Sequence, residues 1–433
     1  MRVWIVEIGE PLPIDAGSRE LRAGILADRL ASDGHEVLWW AATFDHNRKV
    51  HRFSESTTLA IKPGLVIRLL RAPAYKRNVS LARLQHNRII ARIFAAEAAQ
   101  HSAPDLIFCC MPTPGLAERC VEIGLRRGVP VIVDVRDIWP ETYLSSLPEA
   151  LKPAARILLR REFARTGWTF RNAAAVTAVS ETFLDWALSL AGRARTPADA
   201  AFPLGYPKPS EMSGAELSLR IGRLCATHAI RQDNLIVSFV GIFGASYDLK
   251  TAIDAAALLA GEGHSPIQFV LAGDGDKRSA LAIRARNLPN VILPGWLSKD
   301  EIQTLLRISD IGLAAYTRSA TQSMPNKPYE YMSAGLPIVS SLAGELEALL
   351  HSEKIGIQYQ AGNAGSLRDA IAYLATNPEE RGAMGRRARA LFDRRFDAAI
   401  VYSGLIEHIE RIASAGTVAG APASRARAVG STR

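Results

Sequence analysis

An α/β chain of two doubly wound domains is what this sequence predicts, on three observations. Short apolar runs alternate with helical stretches along most of its length, the signature of parallel β-α-β units. At 433 residues the chain exceeds what one core usually holds, so two domains are the default. A stretch rich in Pro, Gly and Ser, FPLGYPKPSEMSG at 202–214, interrupts the alternation near its middle.

In chain order, the first half offers VWIVEI, HEVLWWAA, LVIRLL, DLIFCC, PVIVDV and AAVTAVS as strands, with the amphipathic helix SRELRAGILADRLASDG between the first two. The second half offers LIVSFVG, IQFVLAG, NVILPG, DIGLAAY and LPIVSS, with helices such as KTAIDAAALLAGEG and SKDEIQTLLRIS. RGAMGRRARALFDRRF and AAIVYSGLIEHIERI close the fold. The expected domains are 1–205 and 206–395, followed by a closing helix at 396–413. The Ala/Gly/Ser/Arg-rich tail 414–433 is expected to be disordered. Two such sheets facing one another would form a cleft along their strand carboxyl edges, where open α/β sheets bind ligands.

Composition narrows the class. Hydrophobic content of 48% and charged content of 22% are those of a soluble globular protein, and no apolar run is long enough to span a bilayer. The start MRVWIVEIGEPLP lacks a signal peptide's apolar segment and cleavage site, so a cytoplasmic location is expected. Cys109, Cys110, Cys120 and Cys225 show neither C-x-x-C nor Cys/His spacing, which supports no zinc site and no disulfide framework.

The net charge of +9 is not evenly spread along the chain, and two basic clusters lie in the first half. From Lys62 to Arg92 there are eight Lys or Arg residues and no acid. Residues 151–171 carry six against the single acid Glu162, interleaved with Ile157, Leu158, Phe163 and Trp168. Such patches suit an anionic membrane surface or a lipid-linked phosphate. Nucleic acid would suit the charge as well, but no helix-turn-helix, RNP or zinc module accompanies it, so no nucleic-acid partner is expected.

Three motifs carry chemistry. GIFGAS (241–246) and GDGDKR (273–278) follow strands and precede helices, so their backbone N–H groups can approach phosphates. Neither completes the dinucleotide fingerprint, and a Walker A loop is absent, which disfavours a dehydrogenase or NTPase. The third is PNKPYEYMSAGLPIVSS (325–341). Pro328 suits a first helical position, Gly335 a left-handed residue past the helix, and Pro337 stops any continuation. The short helix Tyr329–Ala334 then has Asn326 and Lys327 at its N-terminus, where unpaired N–H groups and a partial positive charge already favour anions. The combination reads as a phosphate site.

In order and spacing, FVGIFGASYDLKTAIDAAALL, FVLAGDGDKRSAL, NVILPGW, SDIGLAAY and PNKPYEYMSAGLPIVSS resemble the donor domain of GT-B glycosyltransferases of family 4, retaining enzymes that use sugar nucleotides. VPVIVDVRDIWPE (129–141) and VTAVSE (176–181) resemble its other domain, so the resemblance covers about residues 1–410. Within the family, the R-D-x-W-P and P-N-K-P-Y-E-Y forms look like enzymes of bacterial surface-polysaccharide assembly. The resemblance implies a GT-B fold of two Rossmann-like domains facing a central cleft. It also implies hexosyl or N-acetylhexosaminyl transfer from a nucleotide sugar to a glycan or polyprenyl-phosphate-linked acceptor. No cofactor or metal is expected; DGD at 274–276 inverts the metal-binding Asp-x-Asp order. The expected place is peripheral, at the inner face of the cytoplasmic membrane.

The resemblance also assigns residues. Glu330 matches the glutamate that binds the nucleotide ribose, and Gln322 stands where the family has a second, sugar-contacting glutamate. Ile242 and Tyr247 replace a basic pair that usually meets the diphosphate, leaving Lys327, Arg318 and the N–H groups of Gly244, Ala245 and Ser246 for that task. Gly273 and Tyr329 join the donor site, with the base near Gly295, Trp296 and Leu297. Arg136 and Asp137 replace a His-Asp pair. Arg136 stays charged and cannot be a general base, so it would stabilise phosphate or position the acceptor, while Asp137 either joins that chemistry or orients Arg136 as an ion pair. Gly17 and Ser18 belong to the acceptor loop. A GT-B-shaped sugar-nucleotide epimerase and a nucleotide-sugar binder whose catalysis has decayed, through Gln322, Ile242 and Tyr247, stay open as alternatives.

Overall fold

The structure is a computed structural model that describes residues 1–419 apart from 16–19, 78–79, 112, 146, 210, 262–265 and 321. Contacts divide the chain into two units, Met1–Phe202 with the chain from Tyr402 onward, and Pro203–Val401. The final helix is Ala398–Ala419, so the segment from 414 that composition marked as disordered begins as helix. Residues 420–433 of that tail lie outside the described residues.

The first unit is built on an eight-stranded sheet. Its order is Ala200–Ala201, Ala175–Ala178, Val131–Val135, Leu106–Met111, Arg2–Val6, Glu36–Ala42, Leu65–Leu70 and Thr57–Lys62. All neighbours are parallel except the Thr57–Lys62 edge strand. Val3, Trp4, Ile5 and Val6 are fully buried, as expected where helices cover both faces of a parallel sheet. The strand order reverses between Arg2–Val6 and Leu106–Met111, which pair directly.

The second unit is a six-stranded sheet in the order Val291–Gly295, Ile267–Ala272, Leu235–Val240, Ile311–Ala314, Ile338–Ser340 and Gly356–Gln358. Its neighbouring strands are all parallel. Alternation along LIVSFV sends Ile236 and Val240 into one buried core and Val237 and Phe239 into the other. The order is that of a Rossmann sheet, and its switch point falls between Leu235–Val240 and Ile311–Ala314.

The helix expected at Tyr329–Ala334 is longer than its punctuation implied. It runs Asn326–Ala334 with Pro325 as N-cap, so Pro328 sits in the first turn but not at its first position. The missing N–H costs nothing there either, because first-turn amides have no intrahelical acceptor. Gly335 ends the helix at φ 72, as the sequence requires.

Candidate functional site

At the carboxyl end of Leu235–Val240 the chain passes through Gly241, at φ 149, beside Gly273, at φ 142. Both conformations belong to glycine. A Cβ on Gly273 would lie 1.8 Å from the Gly241 carbonyl oxygen, and a Cβ on Gly241 would lie 2.1 Å from Lys327 Nζ. The two glycine loops therefore press together and leave a channel one side chain wide. Lys327 fills it.

Lys327 is 6% exposed. Its Nζ donates to the Val240 carbonyl at 2.6 Å and lies 4.5 Å and 4.4 Å from the Phe239 and Tyr247 ring centroids. Among the described residues it has no carboxylate within ion-pair distance. A buried cation held only by a carbonyl and two ring faces is incompletely neutralised, which favours an anion nearby.

Tyr247, at one position of the absent basic pair, is committed to this floor: its ring packs 5.3 Å from Phe239 and 5.0 Å from Tyr316. Ile242, at the other, is exposed. A second cation at the first glycine loop is Lys277, whose Nζ donates to the Tyr247 carbonyl at 2.8 Å and to the Ala245 carbonyl at 3.4 Å. Sequence reading missed it. Its only signal was its place directly after GDGD.

The three loop amides expected to meet phosphate are not equivalent. Gly244 N–H donates to the Ile242 carbonyl at 2.9 Å, which removes it from that role. The N–H groups of Ala245 and Ser246 have no acceptor among the described residues. Gln322 Nε2 donates to Ser246 Oγ at 3.3 Å, and its buried Oε1 has no hydrogen-bond partner. Gln322 thus sits at the same loop as Lys277.

Glu330 is half-buried on the Asn326–Ala334 helix. Burial pushes the Tyr331 phenol well above its usual range, and the Glu330 charge adds to the shift. Burial and the neighbouring Tyr247 act first on Tyr316, with Glu330 contributing again.

Four other expectations separate here. Tyr329 is fully buried, its ring 5.1 Å from that of Phe396; it is a core residue, and the donor-contact assignment is corrected. Trp296 is 71% exposed, whereas Leu297 is 4% exposed and packs in the core, so only the former presents a free side-chain face. Gly273 serves loop packing, as its clash with Gly241 shows. Arg318 turns its Nε to the Ala361 carbonyl at 3.0 Å and lines a cavity of about 430 Å³ with Thr317, Ser341, Gln358 and Tyr359.

The first unit's sheet end is ionic. Asp134, on Val131–Val135, accepts two hydrogen bonds from Arg22, at 2.9 and 3.0 Å, and one from Thr177 Oγ1 at 2.8 Å. Arg136 pairs with Glu10, and with Asp134 at 3.4 Å and Glu7 at 3.6 Å. Glu7 Oε1 accepts from the N–H groups of Gly9 and Glu10, at 2.6 and 3.1 Å; its Oε2 has no hydrogen-bond partner. Burial, helped by Glu10 and opposed by Arg136, pushes the Glu7 carboxyl up to about 7. Three acids meet two guanidiniums, and a proton on Glu7 balances them.

This corrects the reading of Arg136 and Asp137. Among the described residues the two are not within ion-pair distance, although burial of its carboxyl raises Asp137 and the Arg136 charge opposes that shift. Just past the end of Val131–Val135, Arg136 turns into the buried network. Gly17 and Ser18 lie outside the described residues.

Residues 20–199 match the family model described as Glycosyl transferase 4-like domain, and residues 224–391 that of Glycosyl transferases group 1. Both units are glycosyltransferase domains. Over 95% of the chain, the structure resembles Anabaena Alr3699/HepE in complex with UDP, with 99% of that chain covered, 16% identity and a TM-score of 0.65. Sucrose-phosphate synthase from Thermosynechococcus elongatus aligns over 96% of this chain and 99% of its own, with 16% identity and a TM-score of 0.68. WaaG, a glycosyltransferase involved in lipopolysaccharide biosynthesis, aligns over 97% and 100%, with 14% identity and a TM-score of 0.62. These likenesses establish the GT-B fold. Among curated proteins, the chitobiosyldiphosphodolichol beta-mannosyltransferase of Debaryomyces hansenii is 27% identical over 86 residues, 19% of this glycosyltransferase chain and 18% of that protein. No helix among the described residues is long and apolar enough to cross a membrane.

Proposed function

We propose that this glycosyltransferase is a retaining enzyme of family 4 that moves a hexosyl or N-acetylhexosaminyl group from a nucleotide sugar to a glycan or polyprenyl-phosphate-linked acceptor in surface-polysaccharide assembly. The observation that carries the donor half is the pair of open amides, Ala245 and Ser246, beside the ammonium of Lys277. Fixed donors of this kind stabilise charge as it develops on a departing diphosphate, and they need no reorganisation to do so. Lys327, buried at the same strand end, adds a second positive charge. Glu330 accepts the ribose hydroxyls, a good fit of a carboxylate to vicinal donors, and Trp296 offers an exposed aromatic face to the base. Gln322 contacts the sugar through its amide. The acceptor hydroxyl attacks from the face that the diphosphate leaves, which retains the anomeric configuration, and the reaction proceeds without a metal.

Peripheral attachment at the inner membrane face is supported by Leu151, Ile157 and Leu158, which are 54%, 69% and 83% exposed among the cations Lys152, Arg156 and Arg160. Exposed apolar side chains ringed by cations suit an anionic lipid surface. HepE, which binds UDP in its crystal structure, makes UDP-sugars the first donors to try. The test is acceptor-dependent release of nucleoside diphosphate from UDP-, GDP- and dTDP-sugars, with a bacterial lipid extract supplying acceptors. Release by the wild type and its loss in Glu330→Ala are expected. Acceptor-independent conversion of the sugar would instead establish the epimerase reading, and binding without turnover the decayed one.

A further inference from the structure

The carboxyl edge of the second sheet extends past the glycine loops. Beyond Ile311–Ala314 come Ile338–Ser340 and Gly356–Gln358, each parallel to its neighbour. The segments that leave these strands, at 317–318, 341–343 and 358–361, enclose the cavity of about 430 Å³ that Arg318 lines. That volume falls within the range of small-molecule sites, about 300–1,000 Å³, and the carboxyl edge is where open parallel sheets take ligands. The glycine loops leave Leu235–Val240 and Ile267–Ala272, on the other side of Ile311–Ala314 in strand order, so the donor reading does not use this cavity.

Its walls combine apolar surface with opposite charges. Leu342 and Tyr359 are buried and belong to the core clusters on the two faces of the sheet. Arg318 donates its Nε–H to the Ala361 carbonyl at 3.0 Å, and among the described residues its terminal nitrogens have no partner. Glu347, in the first turn of the Glu345–Glu353 helix, is half-buried. Among the described residues its carboxylate has no hydrogen bond or ion pair, so the two charges line one cavity without pairing. Gln358 Nε2 donates to the Leu342 carbonyl at 3.2 Å, which fixes an amide whose buried Oε1 has no hydrogen-bond partner.

Such walls select against charge. A phosphate drawn to Arg318 meets Glu347, and an ammonium drawn to Glu347 meets Arg318; juxtaposed like charges are a common way to reject a wrong ligand. A hydroxyl suits both, because it accepts from a guanidinium and donates to a carboxylate, and such charge-assisted bonds are the stronger kind. A further hydroxyl proton brought to the Gln358 wall satisfies its orphan oxygen. A neutral ring that carries several hydroxyls and an apolar face meets all of these walls at once.

We propose that this cavity binds a neutral saccharide unit, with Arg318 donating to its hydroxyls and Glu347 accepting from them. The inference goes beyond the donor site and stands on the cavity's own chemistry. A free sugar and one residue of a glycan share that chemistry.

Calorimetric titrations of the full chain with glucose and N-acetylglucosamine, and with maltotriose and chitotriose, distinguish those sources. The wild type is expected to bind at least one of these saccharides, and inorganic phosphate is expected not to displace it. Arg318→Ala and Glu347→Gln should each weaken that binding by on the order of ten-fold. Neither side chain is in the core, so both variants should keep a Tm close to that of the wild type, which separates lost recognition from lost folding. Saccharide binding unchanged in both variants, no wild-type binding of any of these saccharides, or displacement by inorganic phosphate overturns the proposal. A parallel titration with UDP, GDP and dTDP keeps the two readings apart: silence there breaks the nucleotide-sugar function while leaving the saccharide site standing on its own data.

Discussion

At the carboxyl end of Leu235–Val240, the second unit leaves hydrogen-bond donors open; at the carboxyl end of Arg2–Val6, the first unit closes nearly all of them. The second unit offers two backbone amides without acceptors among the described residues, a buried lysine on an aromatic floor and one more lysine across the loop. The first unit sets Glu7, Glu10 and Asp134 against Arg22 and Arg136 in a buried network. Both are strand ends at the switch point of a parallel sheet, the place where such folds bind ligands. The difference teaches that position alone does not make a site. An edge that keeps unneutralised positive groups can take an anion, whereas an edge with paired charges is a structural brace.

The comparison breaks most visibly at Lys327. Lys327→Met keeps the volume on the Phe239 and Tyr247 rings and removes the charge. The rate of sugar transfer should fall on the order of 10²–10³-fold, measured in steady state on protein shown to be folded by circular dichroism. Wild-type turnover would mean that this buried cation only props the loop.

Next in size is the glycine contact. Gly273→Ala pushes a methyl group into the Gly241 carbonyl and should destabilise the protein by about 3 kcal/mol. Urea denaturation reads this directly, and a neutral result would show that the two loops are not pressed together. Lys277→Met should weaken nucleoside diphosphate binding about ten-fold, or roughly 1.4 kcal/mol, while leaving nucleoside binding alone. Equal loss for both ligands would assign Lys277 to loop structure only.

The smallest effect sharpens the other side. The Glu7 carboxyl is raised from 4.5 to about 7, so the folded state favours its protonated form. The stability from that proton is complete below the ordinary value and is lost as pH rises through about 7. Glu7→Gln keeps the oxygen that Gly9 and Glu10 donate to but cannot ionise. Its stability relative to wild type should therefore improve between pH 5 and pH 8. A constant difference would place the unbalanced charge on another member of the network.

Much of the fold was legible because both faces of each sheet are covered: LIVSFV and VWIV read as strands from apolar content alone. The strands that escaped are those with little to bury. Thr57–Lys62 is a half-exposed edge, and Gly356–Gln358 and Ala200–Ala201 are three and two residues long. At the candidate site, the placing of Lys327 beside the glycine loops follows from local chain chemistry, which the sequence displays. Lys277 was not legible, because its role depends on which carbonyls a separate loop turns toward it. Tyr329 was misread because a nine-residue helix does not reveal that one of its faces meets Phe396. The adjacency of Arg136 and Asp137 suggested an ion pair, but the carboxylates that pair with Arg136 include Glu7 and Glu10, more than a hundred positions away in sequence.

The central claim is that the open amides of the first glycine loop hold the donor's diphosphate. Residue-resolved amide hydrogen exchange, with and without the nucleoside diphosphate that binds, addresses it most directly. The account predicts slowed exchange at Ala245 and Ser246, with Gly244, already bonded to Ile242, changing least. Tight nucleotide binding that leaves Ala245 and Ser246 exchanging as in the free protein would contradict it.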